Sequence, residues 1–173
     1  MKQVGQQSFD SRTLGTVLTR SESGRNNEIS KLGNFVWGCS GTLSSSLRLS
    51  LADTGEIEVQ FKGDQLASAA VSTLDRILYN LEKASGKSRS EVSHFALHEP
   101  NPRVVAILAQ RAKVPLEKIS LVSRTSGNLG SATCGVSLCA ALSRAQANPN
   151  RVRPVIFLAA VGPGLLWSGT YLH

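Results

Sequence analysis

The amino-acid sequence predicts an α/β domain, in which helices alternate with the strands of a sheet. Beyond residue 63, segments with apolar residues at helical spacing alternate with apolar runs that are too short to be helices. The chain has 173 residues, of which 41% are hydrophobic and 18% charged, which suits one domain with a buried core. Because the two patterns alternate, the helices are expected to pack on the sheet.

The chain before residue 63 has less regular patterns. Residues 1–30 are polar, and residues 34–63 predict strands and turns. The clearest strand in that part places Ile57, Val59 and Phe61 at alternate positions, with polar residues between them. This alternation is typical of a strand with one buried face.

Capping residues mark two helices beyond residue 63. Gly63 and Asp64 open a helix whose apolar residues fall on one face, and the Asp64 carboxylate is expected to accept the free N–H groups of its first turn. Gly86 is expected to end this helix. Asn101 is expected to cap a second helix, with Pro102 at its first position.

Short apolar runs predict the strands between and after the helices. They lie at Phe95–His98, Ile119–Val122, Pro154–Val161 and Leu165–Leu172. A Gly-Pro-Gly turn at residues 162–164 separates the last two.

A third helix is expected to follow Asn128 and to run to about residue 146. Its residues 131–143 include no charged side chain. A helix that is small and uncharged on every side is typically buried on every side. Nothing in the rest of the sequence obviously covers its second face, which indicates a missing partner layer.

The charge and the composition disfavour several classes of protein. The net charge of +7 favours an acidic partner, such as nucleic acid, an anionic lipid surface or an acidic carrier protein. Nucleic acid is disfavoured because no five basic residues are consecutive and aromatic residues make up only 5% of the chain. No stretch reaches the roughly 20 apolar residues of a membrane span, so no membrane partner is expected.

The three cysteines are expected to be ordinary small residues. They have no metal-ligand spacing, so neither a disulfide framework nor a metal site is predicted. Cys134 and Cys139 lie in the uncharged helix, where burial would make a thiol inert, and Cys39 lies in a loop-like segment without an evident base. The residues after Met1 do not form a signal peptide, and a cytoplasmic location is expected.

Three motifs in the second half of the chain carry a family resemblance. They are His98–Arg103 (His-Glu-Pro-Asn-Pro-Arg), Ser126–Ala132 (Ser-Gly-Asn-Leu-Gly-Ser-Ala) and Val161–Trp167 (Val-Gly-Pro-Gly-Leu-Leu-Trp). In order and spacing they resemble the motifs His-Gln-x-Asn-x-Arg, Gly-Asn-Thr-Ser-Ala and Phe-Gly-Gly-Gly-x-x-Trp. These belong to the C-terminal half of the ketoacyl-acyl-carrier-protein synthase III family, in the thiolase-like superfamily.

The resemblance implies a fold and a domain organisation. It implies a thiolase-like half-domain, in which a five-stranded mixed sheet has helices on both faces. Residues 57–173 would form the C-terminal domain, and residues 1–56 a degenerate junction segment with the first strands. Phe9–Leu18 is similar only in part to the family's segment between its two halves. The N-terminal half, which holds the family's nucleophilic cysteine, is expected to be absent.

The resemblance also implies a reaction and two catalytic residues. Members of the family condense an acyl thioester with a malonyl thioester and release carbon dioxide. His98 and Asn128 would donate hydrogen bonds to the thioester enolate, because neither group adds a net charge to the site. By themselves, a histidine at a strand end is more often structural and an Asn beside a Gly often forms a turn. His94 and His173 have no such motif and are expected at the surface.

Substrate delivery is the second function that the resemblance implies. The acyl groups would arrive on a phosphopantetheine arm, from acyl-coenzyme A or an acidic acyl carrier protein, with no other cofactor. The arm and its thioester would contact Gly63, Asp64, Asn101, Gly162 and Gly164. Arg103 and Arg111 would dock the carrier, although a solvated helix face explains them nearly as well. Pro163 has no N–H where the family offers one to the acyl oxyanion, which puts that oxyanion hole in question.

The sequence is compatible with three functional hypotheses. The first is the C-terminal half of a condensing enzyme, an acyltransferase of fatty-acid or polyketide synthesis that is active only when a Cys-bearing half completes it. The second is a catalytically inactive fragment or carrier-binding module. The third, a basic domain for nucleic acid, leaves the spacing of His98 and Asn128 unexplained. The uncharged helix is expected to be covered by the Cys-bearing half or by a second copy in a homodimer.

Overall fold

The computed structural model describes residues 32–147 and 154–173. In these ranges the helices are α1 (Gly63–Ser85), α2 (Pro102–Ala112), the short α3 (Ser123–Ser126) and α4 (Ala132–Gln146). The strands are β1 (Val36–Cys39), β2 (Leu47–Leu51), β3 (Ile57–Phe61), β4 (His94–Leu97), β5 (Ile156–Val161) and β6 (Leu166–Leu172). The expectation for Phe9–Leu18 falls outside the described residues.

The main sheet is mixed and has the strand order β1-β6-β5-β4. Strand β4 is parallel to β5, whereas β6 is antiparallel to both β5 and β1. The α/β class is therefore confirmed, although the described sheet has four strands and not five. The predicted strand Ile119–Val122 makes only one bridge, between Ile119 and Phe95, because the chain turns into α3 directly after it.

Helices α1 and α2 cover one face of this sheet. The core on that face includes Leu74, Ile77, Leu78 and Leu81 of α1, Val104, Val105 and Leu108 of α2, and Phe95, Leu97, Phe157 and Ala159 of the two parallel strands. Phe95 and Phe157 pack edge to face, with 5.9 Å between their ring centroids. Gly169 of β6 allows α1 to approach, because a Cβ at that position would lie 2.6 Å from Cγ2 of Ile77.

Helix α4 packs on β4 and β5 from the other face. Along these strands Ala96 and Leu158 alternate with residues of the α1 and α2 core, so they point to the α4 side. The buried residues of α4 are Thr133, Cys134, Ser137, Leu138, Ala141 and Ala145. The predicted placement of helices on both faces of the sheet is therefore confirmed.

The outer face of α4 is exposed in the described structure, which corrects the expectation of burial on every side. Val136 is 39% exposed, and Cys139 and Ser143 are exposed beside it. Cys139 is therefore not the buried thiol that the sequence predicted. The reason is that the sheet covers one side of the helix, and no described element lies on the other.

The hairpin of β2 and β3 forms a separate two-stranded sheet. Its strands were predicted, but the apolar face of β3 is not buried: Ile57 is 72% and Val59 is 59% exposed. The alternation of residues predicted the strand correctly. Its predicted burial was wrong, because no described segment covers the hairpin.

The predicted helix ends are confirmed at three of four positions. Gly86 ends α1 in the left-handed conformation, with φ of 67°. The Asn101 Oδ1 atom accepts a hydrogen bond from the Val104 N–H at 3.0 Å, so it caps α2 as expected. Helix α1 begins at Gly63 as predicted, but Asp64 lies inside the first turn and its side chain makes no capping hydrogen bond.

Arg89 ties the end of α1 to the end of α2. Its guanidinium lies 2.7 Å from the Asp75 carboxylate and 3.1 Å from that of Glu82, and it donates to the Ala112 carbonyl at 2.8 Å. Three acceptors on two helices give one partly buried cation a fixed orientation. The loop before β4 is therefore held against both helices.

Candidate active site

Two of the candidate residues, His98 and Gly162, lie at the edge of the main sheet where β4 and β5 end; we call it the site edge. His98 follows β4 directly, and its backbone N–H continues the ladder by donating to the Ala159 carbonyl at 2.8 Å. Gly162 follows β5 in the same way. Because β6 is antiparallel to β5, and β1 to β6, the end of β1 at Cys39 lies at this edge too.

Helix α1 is oriented with its N-terminus toward the site edge. Near its C-terminus, the Ala84 carbonyl accepts from the Tyr171 hydroxyl, at the opposite edge of the sheet. Ile77 lies against Gly169, which is closer to the site edge. The helix therefore runs toward the site edge from its C-terminus to its N-terminus.

The His98 imidazole is a neutral donor at neutral pH. The side chain is partly buried, and this burial lowers its pKa below the ordinary value of 6.5. The negative charge of Glu99 acts in the opposite direction and offsets part of that decrease. Among the described residues no hydrogen-bond partner is seen for the imidazole, so its N–H is available to a ligand.

The Asn128 side chain is oriented by its own loop. Its Oδ1 atom accepts a hydrogen bond from the Gly130 N–H at 2.9 Å, and the residue is exposed. The turn that the sequence allowed is thus present. It turns the carboxamide oxygen toward its own loop and leaves the two N–H groups without a partner in the described part of the chain, so the turn and the donor role are compatible.

The loop at residues 162–164 offers fewer donors than its position suggests. The Gly162 N–H bonds to the Leu166 carbonyl at 2.8 Å, and Pro163 has no N–H. Gly164 has a φ of 71°, a conformation that favours glycine. The middle residue of this loop therefore has no N–H to donate to an acyl oxyanion, as the sequence indicated.

The other residues predicted to contact the substrate or the carrier differ in exposure and in the hydrogen bonds that they already make. Asp64 is exposed at the start of α1, whereas the Asn101 oxygen is occupied by its capping bond. Arg103 and Arg111 are both exposed on α2, about 12 Å and roughly 80° apart around the helix. Arg111 also lies 4.0 Å from the Asp75 carboxylate, a weak contact at the surface.

Neither Cys134 nor Cys39 is suited to act as a nucleophile next to His98. Burial, with a smaller contribution from the Glu99 charge, raises the pKa of Cys134 to about 12, so this thiol stays protonated, as predicted. Cys39 Sγ lies 3.8 Å from the Gly164 carbonyl oxygen. Its strand is three neighbours away from β4, which corresponds to about 14 Å. The Cys39 thiol is therefore not adjacent to the His98 imidazole.

Two residues were placed wrongly or missed. His94 was expected at the surface, but it is only 8% exposed because it is the first residue of β4, whose four residues are all buried. Glu99 was noted only as part of a motif, yet it is fully buried and contacts the segment that leads to Asn128. An acidic residue directly after a predicted buried strand is the signal that pointed to it.

The described residues include neither a cluster of metal ligands nor a membrane-spanning helix. Within residues 32–147 and 154–173, no group of three or more His, Cys, Asp or Glu side chains is arranged to hold a metal ion. In the same ranges, no helix has the length and apolar character needed to cross a membrane.

Comparison with known families gives a match over more than half of the chain. Residues 81–173 match the family described as 3-oxoacyl-[acyl-carrier-protein (ACP)] synthase III C terminal. A β-ketoacyl-[acyl-carrier-protein] synthase III of Thioalkalivibrio sulfidiphilus is 26% identical over 121 residues, which cover 69% of this chain and 36% of that protein. The enzyme of the same name from Ehrlichia ruminantium is 25% identical over 164 residues, 89% of this chain and 47% of that protein.

Solved structures show the same fold. The 3-oxoacyl-[acyl-carrier-protein] synthase III of Aquifex aeolicus superimposes with a TM-score of 0.70 at 24% identity, over 86% of this chain and 46% of that one. The Pseudomonas aeruginosa enzyme gives 0.72 at 21% identity, over 87% and 46%. A priming β-ketosynthase of the R1128 polyketide pathway gives 0.67 at 24% identity. The chain thus spans about half the length, or less, of the relatives and structures that it matches.

Proposed function

Because the chain belongs to the 3-oxoacyl-[acyl-carrier-protein] synthase III family, as the thiolase-like C-terminal half of a condensing enzyme, we propose that it provides the enolate-binding part of a decarboxylating condensation. In the proposed reaction a malonyl thioester loses carbon dioxide, and the electrons of the broken C–C bond form an enolate. The enolate carbon attacks an acyl thioester on a cysteine, the thiolate leaves, and a 3-ketoacyl thioester results. This makes the chain part of an acyltransferase of fatty-acid or polyketide synthesis.

The observation that carries this proposal is that two candidate donors, His98 and Asn128, are neutral and have N–H groups without a partner among the described residues. The imidazole of His98 has a lowered pKa and the amide N–H groups of Asn128 are free in the described structure. A thioester enolate carries its negative charge on oxygen, and two neutral N–H donors stabilise it without adding a charge of their own. Removing one such donor typically costs about 10²–10³ in rate.

We propose that the nucleophilic cysteine comes from a second lobe, in the same polypeptide or in another one. Cys134 is buried with a pKa of about 12, and Cys39 is too far along the sheet from His98. The exposed, uncharged face of α4 supports a second lobe, since an apolar helix face is stabilised when a partner covers it. A second copy of this chain would cover the same face in a homodimer.

Substrates in this proposal arrive as thioesters of phosphopantetheine. Gly63 and Asp64 at the start of α1, Asn101 before α2, and Gly162 and Gly164 after β5 would line its path, and β5 ends at the site edge while α1 points its N-terminus toward it. The exposed guanidinium groups of Arg103 and Arg111 would contact an acidic acyl carrier protein. No further cofactor is part of the proposal.

A carrier-binding module without turnover is the second candidate, and Pro163 favours it. The loop at residues 162–164 has no N–H at its middle residue, and the Gly162 N–H is engaged within the loop. An acyl group would then lose one donor to its oxyanion, while the arginines of α2 would still contact a carrier. The two candidates differ in turnover and agree in binding.

Complementation with a Cys-bearing half separates these candidates. The chain is expressed together with the N-terminal half of the Aquifex aeolicus relative, and release of carbon dioxide from malonyl-carrier protein is measured in the presence of an acyl thioester. We expect turnover that falls about 10²–10³-fold in His98→Ala. His173→Ala is the matched control, since His173 is an exposed histidine away from the site edge and should leave turnover unchanged.

The other outcomes are equally informative. Binding of the carrier without turnover supports the second candidate and rejects the first. If neither binding nor turnover is observed for a folded complex, both candidates are wrong.

A further inference from the structure

One buried carboxylate joins the two segments that carry the donors. Glu99 follows His98 in sequence and is fully buried. Its Oε1 atom accepts from the Val122 N–H at 2.8 Å, and its Oε2 atom from the Ser123 N–H at 3.2 Å. We propose that Glu99 is a positioning residue, which holds the segment leading to Asn128 against the end of the His98 strand. This inference rests on the proposed function, in which both donors act on one enolate.

The contacts cover both oxygens of the carboxylate. Besides the two backbone N–H groups, the Ser123 hydroxyl donates to Oε2 at 2.6 Å, and the Ser137 hydroxyl of α4 lies 3.3 Å from Oε1. Glu99 therefore contacts the start of α3 and α4, and it lies directly after His98, whose backbone N–H continues the ladder of β4. A group that touches both helices beside the end of β4 fixes their relative positions without touching the substrate.

A carboxylate suits this position better than the amide of glutamine, which the family motif has there. Each oxygen of Glu99 receives one backbone N–H, from Val122 and from Ser123, and a backbone N–H can only donate. A glutamine has one oxygen, so its NH₂ group would face one of these two donors. The chain has a charged acceptor where both donors require an acceptor, and hydrogen bonds to a charged group are the stronger ones.

The same charge lies next to the imidazole. Among the described groups, Glu99 is the charged one that acts on the pKa of His98, and it raises that pKa against the effect of burial. From α4, the nearby Cys134 is neutral because its pKa is about 12, and from α3, Arg124 is exposed to solvent. Glu99 therefore influences both donors, the Asn128 loop through backbone contacts and the imidazole through its charge.

Glu99→Gln in the full 173-residue chain tests the inference by NMR. We expect the pKa of His98 to fall, because the opposing charge is lost. We also expect hydrogen exchange at the Val122 and Ser123 amides to become about tenfold faster or more, since a charge-assisted bond is lost, and the Asn128 side-chain amide signals to shift. Glu117→Gln, which removes an exposed charge, is the control and should change none of these.

A second variant keeps the test decisive if Glu99→Gln does not fold. Ser123→Ala removes the 2.6 Å contact and keeps the carboxylate, so exchange at the Ser123 and Gly127 amides should become about fivefold faster, whereas Ser143→Ala on the exposed face of α4 should have no effect. Unchanged exchange in Ser123→Ala, or an unchanged His98 pKa in a folded Glu99→Gln, overturns the inference.

These measurements do not depend on turnover. If the NMR signals respond as expected while the complemented parent shows no condensation, the proposed function is wrong and the placement of the two segments by Glu99 stands. If condensation occurs and the signals do not respond, only the inference about Glu99 is wrong.

Discussion

At the scale of single residues, burial decides the chemistry of His98. The imidazole lies at the end of a buried strand, so its charged form is disfavoured and its pKa is lowered. In the unfolded chain the group returns to its ordinary pKa of 6.5, and the unfolded state binds the proton more readily than the folded state. The stability that the neutral imidazole contributes is present above pH 6.5 and is lost as the pH falls through the lower, folded pKa.

As the pH falls from about 7 to about 5, His98 should therefore lower the free energy of unfolding. In His98→Ala this decrease should be smaller, which urea denaturation at several pH values measures. Glu91, whose pKa is lowered from 4.5 by its hydrogen bonds to Ser88, titrates below this window and does not contribute to the slope. His173→Ala should keep the slope of the parent; an equal slope in His98→Ala would contradict the prediction.

Residue-level expectations succeeded where short-range geometry decides and failed where burial decides. Asn101 caps its helix as predicted because a cap needs only the next three residues. His94 was expected to be exposed and is buried, and Cys139 was expected to be buried and is exposed, because burial depends on which elements pack together. The role of Glu99 needed contacts to residues more than twenty positions away, which no local pattern contains.

At the scale of elements, the helices and most strands could be predicted from periodicity, whereas the strand predicted at Ile119–Val122 was wrong. The run Ile119–Val122 is apolar enough for a strand, but it makes a single bridge to Phe95 before α3 begins. A ladder needs a neighbour along its whole length, and sequence does not show how long that neighbour runs. The hairpin of β2 and β3 has the reverse property, since its pairing was local and predictable while its burial was not.

The contact between α1 and β6 depends on the absence of a side chain at Gly169. A Cβ there would lie 2.6 Å from Cγ2 of Ile77 and 3.1 Å from the Leu158 carbonyl oxygen. Gly169→Ala should therefore destabilise the fold by about 1–3 kcal/mol, because either the helix or the strand has to move. Urea denaturation followed by circular dichroism measures this change.

Gly135 provides the matched control for that substitution. A Cβ at Gly135 meets no atom within 4 Å, and the residue lies inside α4. Gly135→Ala should therefore stabilise the chain by roughly 0.5–1 kcal/mol through helix propensity. The steric explanation would be wrong if both substitutions shifted the denaturation midpoint in the same direction.

At the scale of the whole molecule, the topology collects distant motifs at the site edge. His98 and Gly162 follow the parallel strands β4 and β5, and the N-terminus of α1 points toward the same edge. The resemblance to a family predicts which residues belong to the site, and this assignment stays a prediction. The sequence could not predict the direction of α1 or the order of the strands, because these depend on pairings between segments far apart.

The exposed face of α4 should make the chain self-associate when no second lobe is present. Val136 lies on this face with small, uncharged neighbours, and covering it removes apolar surface from water. Val136→Glu should weaken this association at least tenfold, because a charge would be buried in the contact. Sedimentation velocity over a range of protein concentrations measures it.

Ile107→Glu is the matched control for this surface. Ile107 is 50% exposed on α2, which covers the opposite face of the sheet, so its substitution should leave the association unchanged. A parent chain that sediments as a monomer at every concentration would reject self-association through α4.

The position of β1 has a consequence for the order in which the molecule folds. In the described sheet β1 pairs with β6 alone, and Val36 lies opposite Gly169, from the far end of the sequence. Closing so long a loop has a large entropic cost, which only the finished partner strand can offset. We therefore expect the earliest described strand to join late, after the later segments have assembled around β5.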